Sequence, residues 1–164
     1  MRAIRGAICA EANTREAIYR ATQTLLREMA RRNRLERASI VSVFFTMTPD
    51  LDAEYPAYAA RDMGWTDVPM LGAVETPVPG ALTRVIRVLI LADGDARPRH
   101  VYLGRAARMR PELTEPGDER RWNGVSDAGA GEGPSLGVLC VLGLGLIGGS
   151  VAAAARASGR FDAV

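Results

Sequence analysis

The 164-residue chain has no lysine, a single histidine and two cysteines, and each scarcity removes a kind of chemistry. All 21 basic residues are arginine, the outcome expected of a GC-rich coding sequence, so lysine nucleophiles and Schiff bases are excluded. With His100 as the lone histidine, a multi-histidine metal site is impossible and no metal is expected. A Ser/His/Asp triad would depend on that one ring, which lies beside Arg99 in a strand-like run and reads as structural. Cys9 and Cys140 are far apart, and Cys9 reads as a small packed residue. The first ten residues lack the long apolar stretch of a signal peptide, so a cytoplasmic protein is expected. A net charge of +2 argues against a nucleic-acid binder needing a strong basic footprint.

What is present reads as one small domain with an appendage. "RAIRGAIC" alternates Ile4, Gly6 and Ile8 against Ala3, Arg5 and Ala7, a short strand whose Arg5 stands between small neighbours that leave room for a ligand. Asn13 and Glu16 have the spacing of a capping box, and Ile18, Ala21, Leu25 and Met29 recur at helical intervals, predicting a helix over 14–32. Arg27, Arg31, Arg32, Arg34 and Arg37 gather at its end without interleaved aromatics, as a solvated, dipole-complementing cluster rather than an RNA stripe.

Residues 38–48 predict a buried strand, 57–63 a short helix, and 68–75, 81–92 and 99–105 three further strands. The fold class is α/β in the α+β sense, a mixed sheet with helices packed on one face. From Thr114 to Ser135 the composition turns to Gly, Pro and acid, giving domains at 1–113, a flexible linker at 114–135 and a segment at 136–164. A domain of about 113 residues has a modest core that oligomerisation could enlarge.

In "TRVIRVLIL", alternation puts Arg87 on one face with Val85, Leu89 and Leu91, and Arg84 on the other with Ile86, Val88 and Ile90. A guanidinium in so apolar a strand needs a partner. Two remain open: a buried ion pair, with Glu75 the obvious acid, or an anionic ligand held by Arg5 and Arg87 together. Arginines, Glu75, Tyr102 and no evident nucleophile suit electrostatic catalysis without proton transfer or a covalent intermediate.

"IRGA" (4–7), "TMTPDLDAEYPAYAAR" (46–61), Glu75 leading into "GALTRVIRVLIL" (80–91) and "RHVYLGRAARMRPEL" (99–113), in that order, resemble the monofunctional chorismate mutases of the AroH class. The resemblance covers nearly all of residues 2–113 and implies an isomerase of aromatic amino acid biosynthesis that rearranges chorismate to prephenate and needs no cofactor. It implies Arg87 aimed at the ether oxygen, with Arg5 and Tyr102 holding substrate oxygens and Glu75 accepting from the hydroxyl. Arg61, Arg110 and Tyr55 correspond to substrate-capturing positions near the mouth, and Gly72 and Ala73 to positions whose backbone groups face the hydroxyl side. It further implies a trimeric pseudo-barrel with sites between subunits, chorismate and prephenate as small-molecule partners, and no nucleic acid or membrane.

The sequence departs from the family at "LGAVE", where Gly72 and Val74 replace Cys and Gln common in relatives, and at Tyr58, where a basic residue can occur. These changes keep open a non-catalytic trimeric module that binds a small molecule. In the last segment, Gly143, Gly145 and Gly148 form a GxGxxG match after "GVLCVL", a partial Rossmann βα unit that resembles the start of prephenate dehydrogenase. No acidic residue stands at the end of a completed second strand, so the glycines are expected to be vestigial. The uncharged run 136–155 is long enough for a membrane helix but is glycine-rich, which makes it a poor span.

Overall fold

The computed structural model describes residues 1–120 of the chain. Among these, strand β1 (Arg2–Cys9), helix α1 (Arg15–Asn33), strand β2 (Ile40–Met47), helix α2 (Ala57–Asp62), strands β3 (Met70–Val74), β4 (Val85–Ala92) and β5 (Val101–Tyr102) follow in order. The strands form one mixed sheet in the order β3-β2-β4-β1-β5. β4 runs antiparallel to both β1 and β2, while the outer pairs β2–β3 and β1–β5 are parallel.

Alternation fixes which side of the sheet is dry. Ile4 and Ile8 of β1, Val43 and Phe45 of β2, and Ile86, Val88 and Ile90 of β4 point into one core. There they meet Ile18, Ala21, Leu25 and Met29 of α1, with Ala60 of α2 in the same cluster. Gly6 lies beneath α1: a Cβ there would come within 2.5 Å of the Met29 sulfur and 3.1 Å of the Val101 carbonyl oxygen. The close approach of helix and sheet thus requires a residue without a side chain.

The start of α1 differs from the sequence expectation. Thr14, not Asn13, is the N-cap, its hydroxyl accepting from the Ala17 N–H at 3.2 Å. The Asn13 side chain is occupied elsewhere, its Oδ1 accepting the backbone N–H groups of Asp52 and Ala53 while its amide donates to Asp52. At the other end Arg34 adopts φ 50°, and the Leu35 N–H donates to Ala30 O at 3.0 Å, closing the helix with a left-handed residue.

The arginine cluster at this end is not wholly solvated as expected: Arg32 is buried against Asp118, and the pair draws residues 114–120, expected as the beginning of the linker, onto the domain.

Two further boundaries are corrected. The strand expected at 81–92 begins only at Val85, because Arg84 has φ 54° and cannot continue the pleat. Its N–H is held by Asp50 at 2.8 Å and its carbonyl by the Ala10 N–H at 2.7 Å, so two distant segments impose this conformation. Arg84 therefore does not share the face of Ile86, Val88 and Ile90. The strand expected at 99–105 is paired only at Val101–Tyr102; Gly104, with φ 55°, opens a 3₁₀ segment, Gly104–Met109, and a second follows at Pro111–Leu113.

These 3₁₀ segments cover part of the sheet face opposite α1. Ala7, Cys9, Val85, Tyr102 and Ala106 form a second, smaller core there, with Leu82, Met109 and Leu113 packed around it. Cys9, the free cysteine among the described residues, is buried, and burial pushes its thiol pKa up. Within residues 75–81 the Ala81 N–H donates to Val78 O at 3.1 Å and Gly80 turns with φ 77°. The glycine fingerprint at Gly143, Gly145 and Gly148 and the uncharged run 136–155 lie outside the described residues. Among the described residues no helix is long and apolar enough to cross a membrane.

Candidate active site

The second face of the sheet is ordered by its register. Opposite pairs place Tyr102, Ala7, Arg87, Thr46 and Ala73 in one row across five strands. The neighbouring row holds Arg5, Leu89, Phe44 and Leu71. Arg5 and Arg87 are thus diagonal neighbours, with backbones roughly 7–8 Å apart. Small Ala7 and the short Thr46 flank Arg87, so its long side chain stands above its immediate neighbours.

The resulting cleft has a volume of about 600 Å³, and its floor and walls include Arg5, Phe44, Thr46, Arg87, Leu89 and Tyr102. Met109 and Arg110, from the end of the 3₁₀ cover, complete one wall. Among the described residues that line it are three guanidinium groups and no carboxylate, so the cleft favours anions. Leu89 and Phe44 make the floor apolar, which strengthens any charge contact made above it.

Each polar side chain is positioned by an identifiable element. β4 supplies Arg87, half-buried, whose Nη2 donates to the Met109 sulfur at 3.4 Å. β5 supplies Tyr102, buried between sheet and 3₁₀ cover. Arg110 is held by Glu112, its Nε 2.5 Å from Oε1; this hydrogen bond raises the arginine pKa and lowers that of Glu112.

His100 has the structural part expected of it: its Nδ1 accepts the backbone N–H of Arg5 at 3.2 Å. That bond requires an unprotonated Nδ1, and partial burial together with the positive charges of Arg5 and Arg110 pushes the imidazole pKa down. The ring therefore stays neutral and steadies the strand that carries Arg5.

Of the residues singled out from sequence, Arg5, Arg87, Tyr102 and Arg110 come together in this cleft. Tyr55 and Arg61 do not line it: Tyr55 is 71% exposed, and Arg61 lies over the Tyr58 ring at 5.4 Å on α2. Gly72 and Ala73 are exposed on the edge strand β3. Glu75 is the first residue of the loop that follows. Sequence reasoning passed over Phe44, Thr46 and Met109. The first two were detectable, since period-two alternation in β2 puts them opposite Val43 and Phe45; Met109 was not, because a 3₁₀ segment brings it to the cleft.

A cluster of guanidinium groups over an apolar floor can bind a compact dianion and stabilise negative charge that develops during a reaction. A family model described as chorismate mutase type I matches residues 1–113. The chain is 50% identical over 117 residues to chorismate mutase AroH of Thermus thermophilus, covering 69% of this chain and 96% of that protein. It is 36% identical over 118 residues to chorismate mutase AroH of Bacillus subtilis (strain 168), covering 70% and 93%. Among solved structures, a chorismate mutase from Clostridium thermocellum superposes with a TM-score of 0.64 at 45% identity, covering 66% of this chain and 99% of that one.

Proposed function

The chain belongs to the type I chorismate mutase family, and on that premise we propose that the cleft around Arg87 is where it converts chorismate to prephenate. The enzyme is an isomerase whose reaction is a unimolecular Claisen rearrangement: the ether C–O bond breaks ahead of C–C bond formation, and negative charge grows on the ether oxygen. Arg87 meets that oxygen with a fixed cation. An interaction that strengthens only as charge develops accelerates the chemical step rather than merely tightening substrate binding. Arg5 and Tyr102 hold substrate oxygens, and Glu75, which is not among the residues that line this cleft, is the proposed acceptor for the substrate hydroxyl once a neighbouring copy completes the site. No side chain has to gain or lose a proton, which suits a site with arginine as its charged group. Holding the compact conformer of chorismate is the other contribution, one of orientation.

The observation that carries this reading is the convergence of Arg5, Arg87, Tyr102 and Arg110 on one cleft whose floor includes Phe44 and Leu89.

We further propose a homotrimer. On the sheet face away from α1, Phe44 is 37% and Leu71 61% exposed in the row beside Arg87. A second copy covering this row would enlarge a modest core. It also gives Tyr55, Arg61, Gly72 and Ala73 a route to a substrate, at the neighbouring copy's cleft. Cys9 is a buried free thiol, as suits a reducing compartment, and the cytoplasm is the proposed place of action. For residues 136–164 the glycine spacing supports a partial dinucleotide-binding unit like that of a dehydrogenase acting on the mutase product.

The direct test is depletion of chorismate followed optically with the purified full chain, alongside sedimentation. Turnover by a trimer is expected. A folded trimer that binds prephenate without consuming chorismate would overturn the catalytic reading.

A further inference from the structure

The family match ends at residue 113, yet the next seven residues form part of the same packed unit. Asp118 is fully buried, and Arg32 nearly so. Arg32 Nη1 donates to Asp118 Oδ2 at 2.9 Å and its Nη2 to the other carboxylate oxygen, a two-pronged pair across 86 residues of sequence. Arg32 Nε donates to Glu28 at 2.7 Å, and Glu115 lies 3.5 Å from Nη1. Asp118 also accepts the backbone N–H of Glu115 at 2.9 Å, so one carboxylate closes its own turn and grips α1. Burial draws the Arg32 pKa down, but the hydrogen bonds to Asp118 and Glu28 outweigh it and leave it raised.

The turn fixed in this way, Asp118–Arg120, packs on the 3₁₀ segment Gly104–Met109. The last residue of that segment accepts from Arg87, and the next is Arg110; both form the cleft wall. A continuous line of contacts therefore joins α1, Arg32, Asp118, the 3₁₀ cover and the cation at the centre of the site. An apolar plug could hold the turn as firmly as a buried ion pair does. A guanidinium–carboxylate fork adds a defined orientation.

We infer that Arg32 and Asp118 are positioning residues for the catalytic cleft: by seating the 118–120 turn behind the 3₁₀ cover, they hold Met109 and Arg110 where the substrate meets them. The inference rests on the cleft being the chorismate site. Asp118 touches no substrate; its influence passes through the wall.

The test uses the full chain carrying Asp118→Ala, with unfolding midpoint and oligomeric state recorded beside the kinetics. KM for chorismate should rise about tenfold, the size of coupling seen between residues sharing one network, with kcat changed much less. Arg110→Ala alone should also raise KM, but should add little in the Asp118→Ala background, because both changes disable the same wall. A lowered unfolding midpoint with KM unchanged, or full additivity with Arg110→Ala, overturns the inference. Should Asp118→Ala fail to fold, the paired replacement Arg32→Met with Asp118→Leu fills the space with apolar groups. A folded pair variant with raised KM supports the inference, and one with unaltered KM overturns it. Failure of the site reading is separable: it shows as normal turnover in Arg87→Ala, whereas failure of this inference alone leaves Arg87→Ala strongly impaired and the Asp118 variants normal.

Discussion

The guanidinium of Arg87 reaches the sulfur of Met109 at 3.4 Å, tying the central strand of the sheet to the segment that walls the cleft. Sulfur is a weak, polarizable acceptor that can steer a cation without holding it as tightly as a carboxylate would.

Arg87→Ala should therefore lower kcat by about 10²–10³-fold, the usual loss when one oriented donor to a developing charge is removed. Arg87→Lys keeps a charge but not the planar fork and should recover only part of the rate. Met109→Leu, which preserves bulk, should cost far less than either. Steady-state depletion of chorismate by each folded variant orders the three, and an Arg87→Ala enzyme close to normal would remove Arg87 from its assigned role.

The trimer proposal concerns the exposed row beside the site. Leu71→Asp or Phe44→Asp places a charge where two copies would meet and should shift the sedimentation profile to monomers, with activity lost in step. A variant that stays trimeric would show that this row is not the interface.

Gly6→Ala should destabilise the fold by about 1–3 kcal/mol, as overpacking of a filled core does. The Met29 side chain can swing away from the new methyl, but the Val101 carbonyl on the adjoining strand cannot. Urea unfolding of the variant checks the loss; in a Met29→Ala background, itself destabilised by the cavity it leaves, Gly6→Ala should cost less than in the parent but still cost something, because the Val101 carbonyl stays in place.

His100 gives stability a defined pH dependence. Its folded pKa lies below the ordinary value of about 6.5, so as pH falls through that value the unfolded chain binds the proton first and the fold loses stability. The loss accumulates from about pH 6.5 down to the lower, folded pKa and then levels off, while above pH 6.5 both states are neutral and His100 contributes no slope. In His100→Gln this component should vanish. Unfolding midpoints at pH 8 and in steps from 6.5 downwards reveal it, and an unchanged slope in the variant would rule out the ring as its source.

Much of this arrangement was legible from sequence wherever a local period controlled it. Alternation in β4 put Arg87 with Leu89 and Leu91, and alternation in β1 set Arg5 beside small residues, because one side of the sheet had to be dry. The resemblance brought Tyr102 and Arg110 to the same site.

What escaped was decided by partners far along the chain. Asn13 and Thr14 are both good caps; the 52–53 loop takes Asn13 and leaves the role to Thr14. Arg84 lies in a sequence that continues the strand pattern, but Asp50 and Ala10 hold it in a left-handed turn. Arg32 looked like one more solvated arginine, and only Asp118, 86 residues on, makes it a buried one.

The central place of β4 also governs the order in which the molecule can be assembled. Strands β1 and β2 do not pair with each other; each pairs with β4, through contacts such as Arg5 with Leu89 and Phe44 with Leu89. Before β4 has emerged, a nascent chain can bring β1 and β2 together only through helix and loop contacts, such as α1 against α2 and Asn13 against the 52–53 loop, and not as one sheet. Closing loops of this length before any pairing is gained makes folding slow for a domain of this size. The strand that makes one sheet of β1 and β2 is the one that carries Arg87, so the cation at the centre of the cleft arrives with that joining event, and β5 is added at the edge afterwards.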